Sequence, residues 1–272
     1  MKHLWLLPVI VLTGCSGGTS DEPSNANPKV AAFFVSGHDF PPNGLPSTSY
    51  LDRPGDAGPA ISNDLAQAGY DVTVRYYVDD ANPVGGFGGY QQLVADLANV
   101  RSDERIVIVA HSHGGVWASS AIAALPDVTV DCYVPLDASS IGWDLHAGQN
   151  NYLPGGRDPR SNYGSGWEIQ YFTTYPGYPS VPSEQTTGYD TEDVVFPNVV
   201  STLEVRSGES PCDIGYCVTT EWFDEKWNAR FNGTSDGVYG NYSDSTHAEV
   251  HSGSGKTIAV VKGFLRGCLS GS

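Results

Sequence analysis

The chain has 272 residues, 40% of them hydrophobic, with 32 Gly, 18 Pro and a formal net charge of −17. So large an excess of Asp and Glu argues against nucleic acid and against direct adsorption to anionic lipid, and is read as a solvated surface. Beyond an N-terminal leader and linker about 240 residues remain, enough for one domain of α/β type, with or without an insertion.

Lys2 and His3 form a short positive start, and Leu4 to Leu12 is apolar apart from Pro8. This run is too short to span a bilayer and reads as a secretory signal. Closing on Leu12-Thr13-Gly14-Cys15, residues 1–14 resemble a bacterial lipoprotein signal. The resemblance implies cleavage before Cys15, a lipid on its thiol, and a chain anchored to the cell envelope. The alternative is ordinary secretion without lipidation. Residues 15–28 hold almost nothing apolar and are expected to form a flexible tether. The domain is placed at 29–272.

Val30–Val35 is an apolar run and a predicted strand. Ile61, Leu65 and Ala68 share one helical face, and Gly69 stops that helix. Val72–Val78 alternates as a strand, and Tyr90, Leu93, Val94 and Leu97 mark a second helix. Ile106–Ala110 is the next strand, followed by a helix over Val116–Leu125 and a strand over Val128–Leu136. Val199–Val205 is a further strand, and Ile258, Val261 and Leu265 define a closing helix. Alternating strands and helices with continuously apolar central strands predict a mainly parallel sheet covered on both faces. Residues 138–198 break the rhythm and are read as an irregular, lid-like insertion. Tyr171, Phe172, Tyr175 and Tyr178 within it either line an apolar cleft or pack the insertion onto the body.

The chemistry concentrates at Ala110-His111-Ser112-His113-Gly114, between a predicted strand and a predicted helix. Small residues two before and two after a serine let strand and helix approach at a strained turn. That turn lifts the hydroxyl above the sheet edge and sets backbone N–H groups at a helix N-terminus. A plain Ser/Gly turn capping a helix is the competing reading.

With this elbow the chain resembles an α/β-hydrolase, in particular the bacterial lipases and esterases, with Ala110 where those enzymes carry glycine. The resemblance implies an α/β-hydrolase fold and hydrolysis of carboxylic esters by Ser112 through an acyl-enzyme. It also implies that "FFVSGHDF" supplies an oxyanion-hole N–H from His38, with His113 supplying the other; Ser36 departs from the usual histidine there. "FNGTSDGVYGNYSDSTHAEV" is similar to the lipase stretch carrying the acid and the base, which points to Asp236 and His247. The order Ser112, Asp236, His247 is the one expected of the fold. Asp137, closing the strand "CYVPLD", is the alternative acid, and His251 the alternative base.

Five cysteines occur. With Cys15 set aside, an even number in an exported chain predicts two disulfides, taken as Cys212–Cys217 within one loop and Cys132–Cys268. Neither cysteine spacing nor a histidine cluster supports zinc, and no organic cofactor is called for. The expected partners are an ester or lipid substrate and a membrane reached through the lipid anchor; the oligomeric state is left open. The other readings are a phospholipase, thioesterase or polyester depolymerase on the same scaffold, or a lipoprotein that binds ligands without catalysis.

Overall fold

A computed structural model describes residues 26–37, 50–78, 88–138, 194–207, 229–230, 236–247 and 249–271. Cys15, His38, Cys212, Cys217, the four insertion aromatics and most of the insertion, with the expectations made for them, lie outside these residues.

The elements run β1 (Lys29–Ser36), α1 (Ala57–Gln67), β2 (Asp71–Val78), α2 (Tyr90–Ala98), β3 (Glu104–His111), α3 (His113–Ala124), β4 (Val130–Leu136), β5 (Val194–Val195), β6 (Val199–Ser207), β7 (Ala229–Arg230), β8 (Val238–Ser243) and α4 (Lys256–Ser270). Among the described residues, one sheet has six strands in the order β2-β1-β3-β4-β6-β8, and β5 pairs with β7 separately. All its pairings are parallel. Every strand therefore ends at the same edge, where the elements that follow it begin.

The central strands are apolar at successive positions because both faces are buried. Ala31, Phe33 and Val35 of β1 pack on one face with Leu93 and Leu97 of α2 and Trp117 and Ile122 of α3. Val30, Ala32 and Phe34 face the other way, against Ile61 and Leu65 of α1 and Ile258, Val261 and Leu265 of α4. Each fully buried Leu, Ile or Phe contributes about 1.5–3 kcal/mol relative to exposure. The apolar periodicity of α1, α2 and α4 thus marks the face each helix lays on the sheet. Gly69 ends the α1 segment at φ 94°, a left-handed conformation that glycine adopts without a Cβ penalty.

Cys132 of β4 and Cys268 of α4 form a disulfide. It fastens the last helix to the middle of the sheet. Arg105 of β3 adds to that seam, pairing with Asp131 at 2.6 Å and donating to the Leu269 carbonyl at 3.2 Å.

Candidate active site

Ser112 stands between β3 and α3 with φ 56° and ψ −137°, a left-handed φ for a non-glycine residue. Holding such a conformation costs on the order of 1–3 kcal/mol, so the surroundings must enforce it. They do so sterically and by hydrogen bonding. The Ser112 N–H donates to the Leu136 carbonyl at 3.1 Å, and the Gly115 N–H donates to the Ser112 carbonyl at 2.9 Å. Ala110 is fully buried under the turn. A Cβ on Gly114 would lie 2.4 Å from the Val35 carbonyl oxygen of β1, so only glycine lets α3 start this close to the sheet. The backbone of His113 opens α3. N–H groups in a helix's first turn have no intrahelical acceptor and favour negative charge.

His247 lies on the turn after β8 and is buried. Its Nε2 is 3.0 Å from Ser112 Oγ, and its Nδ1 is 2.5 Å from Asp137 Oδ2. A carboxylate can only accept, so the Nδ1 carries the proton and Nε2 presents its lone pair to the serine hydroxyl. Asp137 follows β4 directly with φ 44°. Its N–H donates to the Val205 carbonyl at 2.6 Å. Ser207, the last residue of β6, donates its N–H to Asp137 Oδ1 at 2.8 Å and its hydroxyl to Oδ2 at 2.6 Å. Burial alone would raise the Asp137 carboxyl. The hydrogen bond and charge of His247, with the two Ser207 donors, outweigh that and hold it below the usual carboxylate range.

The structure thus brings Ser112, His247 and Asp137 together and leaves Asp236 out. Asp236 is exposed and lies two residues before β8, at the edge where the strands begin. The register fixes this: Val238 at the start of β8 pairs with Thr202, whereas Ser243 at its end pairs with Ser207 beside Asp137. About 3.3 Å per residue separates the two edges by the length of the strand. The Asp236 carbonyl accepts from Arg230 Nε at 2.6 Å. Asp137, the alternative named from the sequence, thus occupies the place beside His247 that was expected of Asp236. His251 does not reach Ser112; its Nδ1 lies 3.2 Å from Asp56 Oδ1, at the head of α1. Asp137, like the elbow, is delivered by the C-terminal end of a parallel strand.

Three contributors escaped the sequence reading. Ser207 ends a recognised strand, but nothing local says that its hydroxyl meets a carboxylate. Tyr50 and His111 are the others. Tyr50 Oη lies 2.5 Å from His111 Nδ1, and His111 Nε2 lies 2.9 Å from the His247 carbonyl oxygen. The Gly37 N–H donates to Tyr50 Oη at 2.9 Å. Ser36, where the resemblance expected histidine, uses its Oγ to accept from the Tyr50 and Leu51 N–H groups at 3.3 and 3.4 Å. Among the described residues no group of His, Cys, Asp and Glu is arranged to hold a metal ion.

The parallel sheet with helices on both faces, the strained serine turn after β3 and the chain order Ser, Asp, His define an α/β-hydrolase fold. No family model matches the chain, and no curated protein matches it. Solved structures similar to it include Est1E from Butyrivibrio proteoclasticus with ferulic acid bound, at 15% identity and a TM-score of 0.47 over 92% of this chain and 94% of that one. The mouse alpha/beta hydrolase domain-containing protein 10 aligns at 11% identity and 0.48, over 89% and 90%. A pyrethroid hydrolase, PytH, aligns at 14% and 0.43, over 89% and 98%.

Proposed function

We propose that this protein is a serine hydrolase of carboxylic esters, an esterase or lipase that works through an acyl-enzyme. The observation that carries the reading is His247 bridging Ser112 Oγ at 3.0 Å and Asp137 Oδ2 at 2.5 Å on an elbow strained at the serine. A serine hydroxyl is a weak nucleophile at neutral pH and needs a base within hydrogen-bond reach. In this reading His247 Nε2 takes the Ser112 proton as Oγ attacks the ester carbonyl. Asp137 stabilises the resulting imidazolium and keeps the proton on Nδ1. The N–H groups opening α3, His113 first, face the developing oxyanion; His38 completes the hole as the sequence resemblance implies. His247 then protonates the leaving alcohol. Water repeats the two steps on the acyl-enzyme and releases the acid.

Fluorophosphonate labelling, read beside turnover of p-nitrophenyl esters from short to long acyl chains, tests the reading. The wild type is expected to be labelled at Ser112 and to turn over at least one ester. Ser112→Ala is expected to lose both, with a rate loss on the order of 10⁶-fold. A folded Ser112→Ala protein with near-normal turnover would refute the mechanism, and a wild type that neither labels nor turns over would favour a ligand-binding lipoprotein. The chain-length profile separates esterase from lipase.

We further propose that the enzyme works at the cell envelope, tethered through a lipid on Cys15. The support is the short apolar leader ending in Leu-Thr-Gly-Cys and the apolar-poor stretch after it. Cys15→Ala should release the protein from membranes and abolish metabolic labelling by fatty acid; unchanged membrane retention would refute the anchor.

A further inference from the structure

Behind the base lies a second set of polar side chains that takes no part in the proton transfers above. His111 is fully buried at the end of β3, with Tyr50 and His247 both buried beside it. Its ring centroid is 4.7 Å from that of His247, 4.7 Å from His251 and 5.4 Å from Tyr50, so neighbouring rings fix its plane. The carbonyl of His247 can only accept, so His111 Nε2 carries a hydrogen and donates to it at 2.9 Å. Burial, with the nearby His247 and His251, pushes the His111 imidazolium well below the ordinary histidine range, so the ring is neutral and Nδ1 is a lone pair. Tyr50 must then donate its hydroxyl hydrogen to Nδ1 at 2.5 Å, and its oxygen in turn accepts the Gly37 N–H at 2.9 Å. Directionality is thereby fixed along the whole chain of contacts: Gly37 N–H to Tyr50, Tyr50 O–H to His111, His111 N–H to the main chain of His247.

We propose that Tyr50 and His111 are positioning residues that set the height of the His247 ring over Ser112 through this relay. A rigid planar ring with a donor at one end and an acceptor at the other spans the gap between the Tyr50 hydroxyl and the His247 carbonyl. An aliphatic side chain of similar volume would fill the space and fix nothing. Tyr50 also has a role beyond packing: its donated hydrogen holds His111 in the one neutral tautomer that can clamp the carbonyl. The other tautomer would aim a lone pair at that oxygen. The His247 turn is held from a second side, since Gly253 N–H donates to the Gly55 carbonyl at 2.6 Å and His251 pairs with Asp56. That second anchorage keeps the turn in place when the relay is cut, so the loss falls on the precision of the base.

This inference rests on the proposed ester hydrolysis, and its test is built to separate the two. The full chain carrying His111→Leu, His111→Gln, His111→Asn or Tyr50→Phe is compared with wild type and Ser112→Ala, with active sites counted by fluorophosphonate burst. His111→Leu is expected to lower kcat about 10- to 100-fold, the scale of a misplaced base, with KM within about twofold. Gln places an amide N–H where His111 Nε2 stands and should recover most of kcat; Asn, too short to reach the carbonyl, should not. Tyr50→Phe keeps the ring and loses the hydroxyl, and should lower kcat while the His111 ¹⁵N shifts report mixed tautomers in place of the single Nε2–H form. It also carries the test if His111→Leu does not fold. Lowered melting temperatures with wild-type kcat per titrated site would overturn the relay and leave the hydrolase intact, as would equal activity of the Gln and Asn variants. Wild-type turnover by Ser112→Ala would overturn both.

Discussion

Ser207 grips Asp137 twice, N–H to Oδ1 at 2.8 Å and hydroxyl to Oδ2 at 2.6 Å, so that the carboxylate reaches His247 already oriented. The hydroxyl shares Oδ2 with the His247 Nδ1–H. Removing it by Ser207→Ala leaves the carboxylate held by one Ser207 donor in place of two. The loss of orientation should lower kcat/KM about tenfold, and Ser207→Thr should restore it. A kcat/KM equal to wild type would mean that the backbone N–H alone suffices.

Gly114 meets the β1 main chain so closely that a methyl group has no room. Gly114→Ala must push α3 off the sheet or distort the Ser112 turn, at a cost of roughly 1–3 kcal/mol by the usual scale of overpacking. Activity should fall further than stability, because the displaced element carries Ser112, the proposed nucleophile. Urea unfolding and ester turnover measured together would check this; a fully active Gly114→Ala protein would contradict the tight elbow.

The Cys132–Cys268 disulfide closes a loop with a sequence separation of 136. Loop-closure entropy puts its contribution at about 4–5 kcal/mol as an upper figure for so long a loop. The Cys132→Ala/Cys268→Ala double variant should unfold at clearly lower urea. Its catalytic constants at low temperature should stay near wild type, because the bond joins β4 to α4 and not the residues of the proposed triad, Ser112, His247 and Asp137. Mass mapping of unreduced peptides checks the bond itself.

Acid should weaken the fold in two windows of opposite origin. His111 and His251 are held below 6.5, chiefly by burial. Their contribution is complete above that value and declines below it, as the unfolded chain takes up protons that the native rings refuse. Asp137, although burial opposes it, is held below 3.8 by its donors, so its contribution is complete above 3.8 and disappears as pH falls through the lower native value. Urea midpoints from pH 8 to 3 should therefore be flat above about 7, slope downward below 6.5, and steepen near the carboxylate range. His111→Gln should flatten the upper slope. A midpoint that rises on acidification through pH 6 would contradict the buried neutral histidines.

The fold was readable where burial is two-sided. β1, β3 and β4 announce themselves as apolar runs because both faces are covered, and Ile61, Leu65, Ile258 and Val261 mark helix faces by spacing. The elbow was readable because its sterics demand small residues at set offsets from Ser112. The acid was harder, and one strand explains why. The stretch "VYGNYS" has a glycine, alternates weakly and lies at the sheet edge with Tyr239 half exposed, so no apolar run reveals β8. Without β8, Asp236 stands just ahead of His247 in a single loop. With it, the two lie at opposite ends of a strand, and the carboxylate must come from elsewhere along the C-terminal edge. Tyr50, Ser207 and the buried role of His111 depend on contacts between residues far apart in the chain, and short motifs do not encode those.

The pairing of Asp137 with His247, over Asp236, is the claim on which the account turns. Side-by-side kcat/KM values for Asp137→Asn and Asp236→Asn, on one ester at the wild-type pH optimum, test it most directly. Asp137→Asn should stay folded and lose on the order of 10⁴-fold, since the amide fixes the wrong imidazole tautomer and offers no charge to the cation. Asp236→Asn, an exposed change at the far edge of the sheet, should stay within about twofold, as surface substitutions usually do. A severe loss at Asp236 with near-normal turnover at Asp137 would contradict the account.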